Sequence, residues 1–128
     1  MPFTGKILLV DDEPHVRKFI GLLARSLGSP VIIEAGNGED ALAKFAAESP
    51  DLVLLDVNLP GMDGVQILAA ILAQNPSARV VMLTSLANRQ TIEECLRLGA
   101  LSYIRKDTPK EAILAELKEV VSENSDPS

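Results

Sequence analysis

The chain has no tryptophan, one tyrosine, three phenylalanines, one cysteine and one histidine among 128 residues. With aromatics at 3% and apolar residues at 47%, its core can only be aliphatic, built from Leu, Ile, Val and Ala. That composition is globular and excludes a disordered chain. A lone Cys95 excludes an internal disulfide, and its place in a helical apolar pattern reads as a buried structural thiol in a reducing compartment. Net positive charge is missing too: a formal charge of -6 argues against direct binding of nucleic acid or an anionic membrane. No apolar run approaches the length of a membrane span. The start has a single Lys6 followed by only four apolar residues before Asp11, which is no signal-peptide pattern, so a cytoplasmic location is expected. The length suits one domain over 1–128, with a core of about 5–122 and a frayed polar tail at 123–128.

Short apolar runs recur at 6–10, 31–34, 52–56, 79–83 and 101–104, with a helical pattern in each gap. Such alternation is the mark of a parallel α/β sheet. The spacing of Val16, Phe19, Ile20, Leu23 and Leu27 predicts a first helix packed through one face, with Arg17, Lys18 and Arg25 toward water. Asn37-Gly38 opens a second helix, with Ala41, Leu42 and Phe45 inward, and Ser49-Pro50 closes it. A third runs from Gly64 to Gln74, and a fourth from about Asn88 to Leu98, stopped by Gly99. Thr108-Pro109-Lys110-Glu111 predicts a capping box with proline at the first helical position, starting a fifth helix that buries Ile113, Leu117, Val120 and Val121 and leaves Leu114 off the buried stripe. Runs one, three and four are continuously apolar and should be central. Pro30 before the second run and the mixed Ser102, Tyr103 and Arg105 of the fifth mark edges. Right-handed crossovers then give a flavodoxin-like, doubly wound five-stranded sheet of order 2-1-3-4-5.

The strand ends carry the chemistry. The first run leads into Asp11-Asp12, the third into Asp56, the fourth into Thr84-Ser85 and the fifth into Lys106. In the order above, these groups meet at the carboxyl edge of the sheet, where such folds bind ligands. Two carboxylates about 4 Å apart repel by roughly 4 kcal/mol at an effective dielectric near 20, so three demand compensation. An all-oxygen set suits Mg²⁺ or Mn²⁺. Asp56, alone at its strand end and followed by the loop 58–64, is the expected nucleophile; a carboxylate ionised at neutral pH needs no general base. Lys106 and Thr84 would contact phosphoryl oxygens.

Taken together, ILLVDDEP at 7–14, DLVLLDVNLPGMDG at 51–64, VVMLTS at 80–85, Gly99-Ala100 and YIRK at 103–106 give a chain that resembles the receiver domain of two-component response regulators over residues 5–122. The resemblance implies that Asp56 accepts a phosphoryl group from a sensor histidine kinase or a histidine phosphotransfer protein. It implies Mg²⁺ held directly by Asp12, Asp56 and the Asn58 carbonyl, with Asp11 acting mainly through water. It further implies a switch in which Thr84 moves inward and Tyr103 follows. That change would alter the face of the fourth helix, fifth strand and fifth helix, which meets an output domain, a target or a second copy. His15, Lys18 and Leu22 on the first helix are the implied kinase-docking residues. Such a domain is a signalling phosphoacceptor, which catalyses only its own phosphorylation and dephosphorylation.

Three positions depart from the family pattern. Asp107 stands where many receivers carry proline after a cis peptide, so a trans bond or a reshaped loop is expected. Ser85 replaces the usual alanine, and apolar Leu86 cannot position an attacking water, which favours a long-lived phosphoryl group. The alternatives are a phosphorylation-independent interaction module of the same fold, a haloacid-dehalogenase-like phosphatase and a flavodoxin-like electron carrier. The second would need an Asp-x-Asp after the first strand, and the third would set its phosphate against the acidic Asp11-Asp12 turn.

Overall fold

A computed structural model describes residues 3–59, 61–85 and 89–124. Five strands, β1 (Lys6–Val10), β2 (Val31–Ala35), β3 (Leu52–Asp56), β4 (Val80–Thr84) and β5 (Ser102–Arg105), alternate with five helices. These are α1 (Pro14–Arg25), α2 (Gly38–Glu48), α3 (Gly64–Gln74), α4 (Arg89–Leu98) and α5 (Lys110–Asn124). All strand pairs are parallel, in the expected order β2-β1-β3-β4-β5. Continuous apolarity in β1, β3 and β4 follows from two-sided burial, because successive side chains take opposite faces. Leu8, Val10, Val53, Leu55, Val80 and Met82 meet Phe45, Ile67, Ile71, Ile92 and Cys95 of α2, α3 and α4. Ile7, Leu9, Leu52, Leu54, Val81 and Leu83 meet Ile20 and Ala24 of α1 and Ile113 and Leu117 of α5.

Local signals set the helix ends. The Asn37 side chain accepts the Asp40 amide at 2.8 Å, and Asp63 forms a capping box with Gln66. Gly99 ends α4 at φ 127, a conformation that favours glycine. Five expectations are corrected. Phe19 is 41% exposed, since Ile20, Ala24 and the part-buried Val16 and Leu23 already cover the sheet. Arg17 turns back over β2 and is only 18% exposed. Pro109 lies one position before the first helical residue, its carbonyl accepting the Ile113 amide at 3.1 Å. Leu114 is part-buried against the cluster shared by α1 and α5. Helix α5 continues to Asn124, through part of the expected tail; residues 125–128 lie outside the described residues, as do Asn88, Pro60 and Leu86.

The chain leaves β3 and returns into α3 with very little room. A Cβ built on Gly64 would stand 2.5 Å from the Asp56 carbonyl oxygen and 2.7 Å from Val57 Cα, both backbone atoms that cannot swing aside. Gly64→Ala is therefore expected to destabilise the fold by about 1–3 kcal/mol, as overpacking does. Urea unfolding should show a lower midpoint with an unchanged slope.

Candidate functional site

Strand alternation carried past the last apolar residues places Asp11, Asp56 and Lys106 on the side of the sheet covered by α1 and α5, in line with Leu9, Leu54 and Ile104. Asp11 and Asp56 are buried, whereas Asp12 is exposed. One carboxylate oxygen from each of the three lies within 4.8 Å of the others. The Lys106 ammonium reaches in from the end of β5 to 2.6 Å from Asp11 Oδ2 and 3.1 Å from Asp56 Oδ2. The backbone holds the opposite oxygens: the Glu13 amide donates to Asp11 Oδ1 at 2.9 Å, and the Asn58 amide to Asp56 Oδ1 at 3.1 Å. Lys106 is fixed in turn by its own amide, which donates to the Thr84 carbonyl at 2.8 Å.

Burial is the largest influence on Asp56 and raises its pKa above the ordinary carboxylate value; the Asn58 amide and the Lys106 charge pull the other way without cancelling it. For Lys106, burial alone would lower the pKa, but the facing carboxylates of Asp11 and Asp56 outweigh it, so the ammonium keeps its proton to higher pH than usual. One ammonium faces three acids. The buried Asp11 Oδ2 meets the Lys106 ammonium and no other donor among the described residues. Spare negative charge on clustered carboxylate oxygens fits a hard divalent cation.

Thr84 is buried at the end of β4, its carbonyl accepting the Lys106 amide, and Ser85 is exposed. Asn58 sits exposed at the rim, two residues beyond Asp56. Tyr103 faces away from the acids, 41% exposed, in a groove of 610 Å³ that it lines with Leu96, Leu101, Arg105 and Glu116. His15, Lys18 and Leu22 are exposed on α1 and do not join the acidic cluster. The Lys106–Asp107 peptide is trans, and Asp107 forms a two-point ion pair with Arg105 at 3.0 and 3.1 Å. Sequence periodicity missed Arg17, whose Nη1 donates to the Asp11 carbonyl at 2.6 Å. Its signal was faint: a basic residue on the margin of the apolar stripe of α1.

A group whose folded pKa is raised stabilises the fold most when protonated, so the contribution of Asp56 is present below the ordinary carboxylate range and is lost as pH climbs through the raised value. At neutral pH, Asp56→Asn removes that penalty and should raise the metal-free thermal midpoint by a few degrees. The gain over wild type should shrink steadily on acidification in paired melting curves.

Comparison with known proteins agrees with this geometry. Residues 7–118 match the family model described as the response regulator receiver domain. The chain is 34% identical over 113 residues to the chemotaxis protein CheY of Listeria monocytogenes, covering 88% of this chain and 95% of that protein. It is 32% identical over 117 residues to the nitrate/nitrite response regulator protein NarL of Escherichia coli, covering 91% of this chain but only 54% of that one. Among solved structures, the CheX-CheY-BeF3-Mg²⁺ complex from Borrelia burgdorferi superposes with a TM-score of 0.85 at 31% identity, covering 91% of this chain and 88% of that one. A CheY-like receiver domain protein from Methanospirillum hungatei gives 0.87 at 27% identity, covering 95% and 97%. On its fold, its strand-end acids and these matches along most of its length, the chain belongs to the receiver domain family of response regulators.

Proposed function

We propose that this receiver, a single unit over about residues 5–122, takes a phosphoryl group onto Asp56 in a Mg²⁺-dependent transfer and signals the change through the face of α4, β5 and α5. The observation that carries this proposal is the Lys106 ammonium, shared by Asp11 and Asp56 where carboxylate oxygens of Asp11, Asp12 and Asp56 gather within 4.8 Å of one another. Asp11, Asp12, Asp56 and the Asn58 carbonyl would hold the ion, with Mn²⁺ as a substitute. When bound, the metal supplies positive charge that offsets repulsion between the Asp56 carboxylate and an incoming phosphoryl group.

The residues do the rest. The Asn58 amide and Lys106 hold the Asp56 carboxylate from its two oxygens, which fixes its direction of approach. An oxygen of Asp56 forms the bond to phosphorus as the phosphorus–nitrogen bond of a phosphohistidine breaks, and the imidazole nitrogen leaves with the electron pair. Lys106 then neutralises a phosphoryl oxygen, and the Thr84 hydroxyl donates to another. The donor is a sensor histidine kinase or a histidine phosphotransfer protein, docking near His15, Lys18 and Leu22, and a cytoplasmic location goes with that partner. Exposed Leu96, Leu98, Leu101 and Tyr103 supply the apolar surface for an output domain, a target or a second copy. The chain is acceptor and catalyst of its own modification, with no external substrate to turn over.

Acetyl phosphate with Mg²⁺ is expected to add one acid-labile phosphoryl group, read by intact mass. The addition should disappear in Asp56→Asn and on chelation of the metal. Lys106→Ala should slow it about 10²-fold, the usual loss when one preorganised charge donor is removed. An unchanged wild-type mass would leave the phosphorylation-independent module as the function; a shift retained in Asp56→Asn would move the acceptor elsewhere.

A further inference from the structure

The Arg17 guanidinium is divided between two partners from different parts of the chain. Nη1 donates to the Asp11 carbonyl at 2.6 Å, and Nε to Glu34 Oε1 on β2 at 2.9 Å. The slot it occupies is tight, since a Cβ on Gly36 would stand 3.3 Å from Nη1. Glu34 is itself tethered, because Lys44 of α2 donates to its carbonyl at 2.5 Å and pairs with Asp40 at 3.0 Å.

The carbonyl held by Arg17 belongs to the peptide joining Asp11 to Asp12. Asp11 and Asp56 are each fixed through their side chains by Lys106 and a backbone amide. Asp12 differs: its carboxylate is exposed and, among the described residues, makes no hydrogen bond or ion pair. Its position therefore depends on the backbone that carries it. We infer that Arg17 is a positioning residue for Asp12, holding the Asp11–Asp12 peptide so that the third carboxylate stays within reach of the other two. This rests on the proposed Mg²⁺ site and assigns it a support from outside the acidic cluster, running through β2 to α2.

Mg²⁺ titration calorimetry on the wild type, Arg17→Ala, Arg17→Lys, Glu34→Gln and Arg25→Ala, with amide NMR spectra of the metal-free proteins, separates the possibilities. Arg25 is exposed on the same helix and controls for the loss of one positive charge. Arg17→Ala is expected to weaken Mg²⁺ binding about ten-fold, as loss of an outer-shell partner does. Its metal-free shifts should concentrate at the Asp12 and Glu13 amides. Arg17→Lys should recover part of the affinity, because an ammonium can still donate to the Asp11 carbonyl. Glu34→Gln should fall between the wild type and Arg17→Ala. Equal losses in Arg17→Ala and Arg25→Ala would overturn the inference while leaving the metal site standing. If Arg17→Ala fails to fold, wild-type affinity in both Arg17→Lys and Glu34→Gln would overturn it. No Mg²⁺ uptake by the wild type would bring down the site, and this role with it.

Discussion

One largely enclosed ammonium makes the carboxyl edge of this sheet possible. Asp11 and Asp56 lie on strands that are direct neighbours, so their carboxylates cannot avoid each other, and both are shut away from water. Moving such charges out of water costs several kcal/mol each unless they are paired. Lys106 arrives from β5, on the far side of β4, and touches both. The pairing is incomplete by design of charge: one cation faces three acids, and Asp56 remains harder to ionise than an ordinary carboxylate. A site left short of positive charge suits binding a divalent ion far better than it suits stability. A single charge change there then has a large local effect, because little solvent is present to screen it.

Most of the scaffold was legible because its signals are local. Uninterrupted apolar runs in β1, β3 and β4 could only be strands covered on both faces, and Pro30 and the polar residues of β5 could only stand at edges. From that order the meeting of Asp11, Asp12, Asp56 and Lys106 followed. The misreadings lie on α1 and α5, where outcomes depend on distant neighbours. Phe19 and Arg17 sit on opposite margins of the α1 stripe, and helical periodicity alone favoured burying the phenylalanine. The deciding contacts are Glu34 and the narrow slot at Gly36, both supplied by another part of the chain. Leu114 was misread for a similar reason: α5 packs on α1 as well as on the sheet, which widens its buried stripe.

Asp107 shows how a family feature can be replaced by a different physical device. Where the family resemblance leads one to expect proline after the lysine, this chain has a trans peptide and a two-point ion pair between Arg105 and Asp107 that straddles Lys106. An exposed pair of this kind adds little to overall stability. Its value is geometric. Together with the Lys106 amide on the Thr84 carbonyl and the Thr108 amide on the Arg105 carbonyl, it fixes the lysine backbone from both sides, so the long side chain has only its own torsions to settle.

The same short strand links the buried cluster to the surface groove. Tyr103 and Lys106 are three residues apart on or just beyond β5, and alternation sends them to opposite sides. Edge strand β5 has a single neighbour in the sheet, with Met82 opposite Tyr103 and Thr84 opposite Arg105. Displacing it disturbs one ladder, whereas displacing β1, β3 or β4 would disturb two and the apolar layers on both faces. Thr84 stands where the two regions join, its backbone accepting the Lys106 amide and its side chain buried at the end of β4. A new anion at Asp56 that drew Thr84 and Lys106 toward itself would therefore pull on an edge strand, held by one ladder. The groove walled by Leu96, Leu101 and Tyr103 is where that movement would emerge. The proposed exit of the signal by β5 and its flanking helices would thus have a physical basis independent of which partner receives it.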